Sequence, residues 1–175
     1  MQESTRASAV VKRVRALFRK ESGVREPADM NRLIQEFARL LRDEAIRRGV
    51  SIRLALAREL PRIAIDKVQI QQVLLNLAVN GMDAMMQSHA PRELTIRSEK
   101  LNEFELLVTV ADTGCGVPVD HVERIFEPFF STKTQGLGMG LAICRSIVES
   151  HDGRLWAANS PAGGGILRFT VRAAS

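Results

Sequence analysis

Three constellations in the chain bring together side chains able to do chemistry. The first lies between Asp66 and Gln87, where Gln69, Gln72, Asn76, Asn80, Asp83 and Gln87 fall within one narrow stripe at 100° per residue. Ile70, Val73, Leu74 and Leu77 flank the stripe on one side and Leu75, Val79, Met82 and Met86 on the other. The stripe therefore faces either a slit of solvent or a site. Amide carbonyl oxygens are good ligands for a hard cation such as Mg²⁺, and a buried Asn is costly unless its amide is partnered. The second constellation is DTGCGVP, which places Asp112 at the end of an apolar run and Gly114 and Gly116 in a tight turn. Such a carboxylate either accepts from an exocyclic amine, as adenine offers, or closes an Asx-turn, while the glycines permit positive φ and close ligand approach. The third is STKTQGLGMGLAIC, in which Gly136, Gly138 and Gly140 run directly into a helix. Backbone N–H groups freed of side chains at a helix start form an anion site for phosphates, and the alternative is a flexible connection. Lys133 upstream is either a point charge for a phosphate or a solvated surface lysine. The glycine spacing fits neither a Rossmann turn nor a P-loop.

The elements that must position these groups follow from periodicity. Residues 5 to 20 read as an amphipathic helix, with Ala7, Val10, Val14 and Leu17 at spacings of three and four. SGVREPAD reads as a linker, and MNRLIQEFARLLRDEAIRRG as a helix closing at Gly49. Strands are expected at 50 to 57 and 62 to 65, then the long helix from Asp66 to about Gln87, then strands LTIRSEKL and FELLVTVA. A short helix over VDHVERIF, a helix over LAICRSIVESH and a closing strand pair around GRLWAANS and ILRFTVR complete the pattern. The loop SPAGGG between the last two strands is of hairpin length, so the sheet must contain antiparallel pairs. The expected class is α/β, a two-layer α/β sandwich with a mixed sheet and helices on one face, preceded by an N-terminal helix.

Composition narrows the function classes. With 175 residues, 45% hydrophobic and 26% charged, the chain is long enough for one substantial core and is neither disordered nor fibrous. The net charge of +5 suits a phosphate-bearing partner or a solvated basic face. With no Tyr and one Trp, stacking platforms are poorly supplied, and a nucleic-acid partner is not expected. The two cysteines, Cys115 and Cys144, have no partner at metal-ligand spacing, as in a reduced cytoplasmic chain. No apolar run approaches the roughly 20 residues a membrane span needs.

The order of the motifs, NLAVNGMDAM, DTGCGVP, IFEPFFSTK and GLGMGLAIC, resembles the ATP-binding catalytic domain of sensor histidine kinases over roughly residues 30 to 172. The wider superfamily is the one shared with DNA gyrase B, MutL and the heat-shock chaperones, whose ATP-binding core is the Bergerat fold. Phe126, Phe129, Phe130 and the GLGMGL form resemble the kinase branch, and residues 5 to 20 are similar to the end of the second helix of a dimerisation and phosphotransfer bundle of the oxygen-sensing or aromatic-degradation type. The resemblance implies Asn80 as main Mg²⁺ ligand with Asn76 assisting, and Asp112 reading the adenine amine. Gly114 and Gly116 would shape the adenine pocket, Lys133 would approach the terminal phosphates, and Gly136, Gly138 and Gly140 would cradle the triphosphate. Residues 126 to 138 would contain an ATP lid, mobile when empty.

The sequence also departs from the family pattern. Gly81 stands where the family usually has Ala, at about 1 kcal/mol in helix propensity, which suggests close packing. Near the C-terminus the family often shows Gly-Thr-x-Phe, whereas here Ile166 follows the glycines. None of His89, His121 and His151 sits in a His-Glu or His-Asp phosphoacceptor context at the start of a bundle helix; His151 precedes Asp152 but follows a helix, and reads as a helix C-terminal residue. The implied domains are 1 to 26, the end of a dimerisation helix and its linker, and 27 to 175, the catalytic domain. The implied activity is transfer of the γ-phosphoryl of MgATP to a histidine of a dimerisation domain outside this chain, in a protein that forms a homodimer and signals to a response regulator receiver domain. The alternatives are a nucleotide-driven conformational ATPase, which would need a catalytic Glu in place of Asn76, and a nucleotide-binding module or protein serine kinase.

Overall fold

Two aspartates set where the helices start. Asp29 caps α1 (Met30–Arg47), its Oδ1 accepting from the Arg32 N–H at 3.1 Å, and Asp66 caps α2 (Lys67–Met85), its Oδ1 accepting from Val68 and Gln69 at 3.0 and 3.1 Å. Each satisfies backbone donors that the first helical turn leaves without an intrahelical acceptor. Gly49, at φ +64°, turns the chain out of α1 in a conformation that costs a residue with a Cβ. The computed structural model describes residues 23–88, 91–131 and 138–172. The helix expected over 5 to 20 lies outside the described residues, as do His89, Lys133, Gly136 and the middle of the expected lid.

In chain order the described elements are β1 (Glu26–Ala28), α1, β2 (Ser51–Leu56), β3 (Ile63–Ile65), α2, β4 (Glu93–Asn102), β5 (Glu105–Asp112), α3 (Gly140–Ser150), β6 (Leu155–Asn159) and β7 (Gly165–Arg172). Five strands form one sheet in the order β2-β4-β5-β7-β6. β2 lies parallel to β4 and every other pair is antiparallel, so the sheet is mixed as expected. The three helices pack on one face. Alternate strand residues, Leu94 and Ile96, Val108 and Val110, Leu167 and Phe169, meet Phe37, Leu74 and Met82 in a continuous core.

The structure corrects two expectations. The linker SGVREPAD contains β1, which pairs antiparallel with β3 from Glu26↔Ile65 to Ala28↔Ile63. Its proline is tolerated because this two-stranded ribbon has no central strand. VDHVERIF forms two 3₁₀ turns, Val119–His121 and Arg124–Phe126, not one helix. A segment this short has little intrinsic helical stability, so burial of Phe126, with the Arg145 guanidinium 4.3 Å above its ring, dictates the path.

Candidate functional site

Asp112 ends β5 in the middle of the sheet, at the edge facing the helices. Its Oδ1 accepts from the Gly114 N–H at 2.8 Å and from the Gly165 N–H of β7 at 3.2 Å. Burial pushes the carboxyl above its ordinary value, and the two backbone donors oppose that shift. The surroundings are stripped of side chains. A Cβ on Gly81 would lie 2.9 Å from Leu94 Cδ1 and 3.2 Å from Asp112 Cβ, and one on Gly165 would lie 2.9 Å from Asp112 Oδ2. This is the close packing that a helix-interior glycine at position 81 suggests. A Cβ on Gly114 would come within 2.6 Å of the Ala84 backbone, which seats the turn against α2.

One and two turns back along α2 stand Asn80 and Asn76, half-buried and buried respectively. The Asn76 amide nitrogen donates to Gly140 O at 3.4 Å and to Cys144 Sγ at 3.5 Å, both on α3. A Cβ on Gly140 would meet Asn76 Cγ at 3.8 Å. The first turn of α3 is preceded by Met139, which provides no side-chain cap, so its N–H groups face the cleft bare of a competing side-chain acceptor. Gly138, at φ +65°, accepts from the Phe129 N–H at 3.1 Å, and its missing Cβ would lie 2.6 Å from the Phe129 backbone. That contact ties the two roots of the loop 131 to 137 together. Phe129 itself is left-handed at φ +65° and 77% exposed, while Phe130 packs against His121 and under Arg124.

The polar stripe of α2 does not face one site. Asp83 turns to α1 and pairs with Arg48 at 2.6 Å, a guanidinium that Glu44 also holds at 2.6 Å. These bonds outweigh the desolvation of Arg48 and keep its charge stabilised. The stripe is thus divided between a structural ion-pair cluster at its C-terminal end and the cleft beside α3. Along α2 the contacts fall into two adjoining sets, Asp112 with Gly114, Gly165 and Gly81, and Asn76 with Gly140 of α3, with Asn80 between them; Gly116 and Gly138 sit against Asn159 and Phe129 at the margins.

A family model described as histidine kinase-, DNA gyrase B-, and HSP90-like ATPase matches residues 65–175. The sensor histidine kinase TmoS of Ectopseudomonas mendocina is 38% identical over 173 residues, 98% of this chain and 18% of TmoS. The solved catalytic domain of histidine kinase ThkA is 32% identical with a TM-score of 0.75, over 85% of this chain and 95% of that one. ThkA solved in complex with the response regulator TrrA is 28% identical with a TM-score of 0.75, over 98% of this chain and 48% of that one. The chain belongs to the histidine kinase-, DNA gyrase B- and HSP90-like ATPase family. Within that family it is a histidine kinase catalytic domain, and it spans under a fifth of TmoS.

As a histidine kinase domain it shows two further features at the cleft. Ile166 lies on the sheet face away from the helices, opposite Ala111 and Ala158, so the residue beside the Asp112 carboxylate is Gly165. No threonine stands beside that carboxylate, in keeping with the departure from the Gly-Thr-x-Phe pattern. The second feature escapes sequence reasoning. Asn159 at the end of β6 clamps Val117, accepting from its N–H at 2.8 Å and donating to its C=O at 2.6 Å, and Asn159 Oδ1 would meet a Cβ on Gly116 at 2.8 Å. Gly116 adopts φ +73° against this amide. An Asn before Ser-Pro reads as an ordinary turn former, and nothing in the sequence pairs it with a valine 42 positions earlier.

Proposed function

We propose that residues 27–175 bind MgATP in this cleft and transfer its γ-phosphoryl to a histidine on a dimerisation domain outside this chain. The observation that carries the reading is the convergence of Asp112, the α2 amides and the uncapped start of α3 on one cleft. Adenine would sit on the Gly81, Gly114 and Gly165 floor, its exocyclic amine donating to the Asp112 carboxylate. Gly116, held by Asn159, would wall the pocket. The triphosphate would run toward α3, where the N–H groups from Gly138 and Gly140 onward and the helix dipole favour anionic oxygens. Lys133 and Gly136 would complete this end from the loop.

Among the described residues no cluster of His, Cys, Asp and Glu could hold a metal ion. The donor set present, the Asn80 carbonyl with Asn76 one turn away, fits Mg²⁺ that arrives with phosphate oxygens and water as its other ligands. When bound, the ion would neutralise charge between the terminal phosphates. The remaining work falls to positioning and electrostatic stabilisation of a loose transition state. A neutral imidazole needs no strong base from the domain. Asn76 carries no carboxylate to activate water, which favours transfer to a protein group over hydrolysis.

The wider protein would be a homodimer on the cytoplasmic side that signals to a response regulator receiver domain, as ThkA pairs with TrrA. No described helix is long and apolar enough to cross a membrane. The cleft assignment is tested by Asn80→Ala, with nucleotide affinity measured in Mg²⁺ and in chelator. Loss of about tenfold or more in Mg²⁺ with little change in chelator is expected, since one hydrogen-bond or ligand interaction to a charged group contributes about 1.5–3 kcal/mol. Equal losses in both would make Asn80 structural.

A further inference from the structure

The face of the sheet turned away from the helices carries its own pattern. Because Ile96, Val108, Val110, Leu167 and Phe169 point into the core, their strand neighbours Arg97, Thr109 and Arg168 point out. Register places these three side by side, Arg97↔Thr109↔Arg168, with Trp156 next in the row. At the two ends of this face the charges are matched, Arg53 with Glu93 at 3.9 Å and Arg172 with Glu105 at 3.5 Å. In the middle they are not. Neither Arg97 nor Arg168 enters an ion pair among the described residues, and the nearest carboxylate on the face, Glu99, is exposed and equally without one. Between the two arginines, Thr109 is 9% exposed and its Oγ1 has no hydrogen-bond partner. A buried hydroxyl left unpaired is costly, and two unpaired guanidinium groups flanking it form a concentrated positive site.

We propose that Arg97, Thr109 and Arg168 form a seat for a carboxylate side chain presented by a docking protein segment. Strands lie about 4.8 Å apart, so the two arginine stems rise roughly 10 Å from each other and can both turn onto one group above Thr109. A carboxylate there accepts from two planar forks in the geometry that guanidinium groups favour, and from the Thr109 hydroxyl once the seat opens, since that oxygen is closed to solvent in the free chain. The shoulders of the seat are apolar, Leu107 on one side and Ala111 and Ile166 on the other, while Trp156 at the end of the row carries the Arg154 guanidinium 5.7 Å from its ring centroid. A free phosphate would use the charges and leave these shoulders wet. An acidic residue flanked by apolar ones uses both, and this commits the occupant to a protein segment.

The test is an amide-shift titration of the chain with the probe peptide acetyl-Val-Glu-Val-amide, its Gln counterpart, and inorganic phosphate. Saturable shifts at Val108, Thr109 and Arg168 are expected with the Glu peptide, at least about tenfold weaker with the Gln peptide and with phosphate. Arg97→Ala with Arg168→Ala should abolish them while nucleotide affinity stays within about twofold. Thr109→Val separates a binding role from a structural one: removing an orphan hydroxyl should raise the melting temperature of the free chain yet weaken the Glu peptide by about threefold or more. Equal binding of the Gln peptide, tighter binding of phosphate, no saturable shift on this face, or a lowered melting temperature for Thr109→Val would each overturn the assignment.

Discussion

At Asp112 the proposed recognition of adenine and a cost to stability fall on one residue. Burial raises its carboxyl above the ordinary value despite two backbone donors, so the charge is less favoured in the folded chain than in the unfolded one. A raised carboxyl contributes stability that is fully present below the unfolded value of about 3.9 and is lost as pH rises through the folded one. Asp112→Asn keeps an acceptor for the Gly114 N–H and removes the charge. It should unfold at neutral pH no more easily than the parent, with that relative gain disappearing below about pH 4. Its ATP affinity should fall by about tenfold or more, because a neutral amide replaces a charged acceptor for the adenine amine. Thermal unfolding at the two pH values and calorimetric titration with ATP read both effects. Unchanged affinity in the folded variant would take Asp112 out of the adenine site.

At the scale of one element, α3 spans about 16 Å and links two ends of the domain. Its first residue lies against Asn76, and its last turn is stapled to the segment that enters the domain. His151, 2% exposed, caps the helix; its Nδ1 faces Ile147 O at 2.8 Å and its Nε2 accepts the Asp66 N–H at 3.0 Å. This arrangement assigns the proton to Nδ1. Asp66 in turn accepts the Gly23 N–H at 2.7 Å, and Arg25 donates to Ser150 O and lies 3.6 Å from Asp152. Reading His151 as a helix C-terminal residue is therefore right in place and incomplete in role. His151→Ala strands the buried Asp66 N–H and opens a cavity, so it should cost about 2–4 kcal/mol. Urea unfolding measures the loss, and amide exchange should quicken first at Asp66, Val68 and Gln69. A cost below about 0.5 kcal/mol would show that the histidine does not hold this junction.

For the whole molecule, the division of labour proposed above predicts that the chain incubated alone with labelled ATP gains no acid-labile, base-stable phosphate. Adding a cognate dimerisation domain with its phosphoacceptor histidine should restore labelling in trans, slowly, because the effective concentration given by a tether is lost. Robust phosphohistidine on the chain alone would remove that division. What was legible beforehand follows the reach of local physics. The two long helices, most of the strand runs and the antiparallel closing pair rest on periodicity and spacing within a few residues, and these are written directly in the chain. The parting of the α2 stripe was not, because Asp83 finds its partner at Arg48, just past the end of α1 and 35 positions away, and Asn76 finds its own on α3. Pro27 in a strand, the 3₁₀ path of residues 119 to 126, the Asn159 clamp and the row Arg97, Thr109, Arg168 likewise depend on which strands become neighbours. The amino-acid order determined most of the elements, since those need only near neighbours; the tertiary structure alone decided the pairing of β1, the 3₁₀ path and which polar groups share a partner, since strand order and helix packing bring together residues that no local pattern connects.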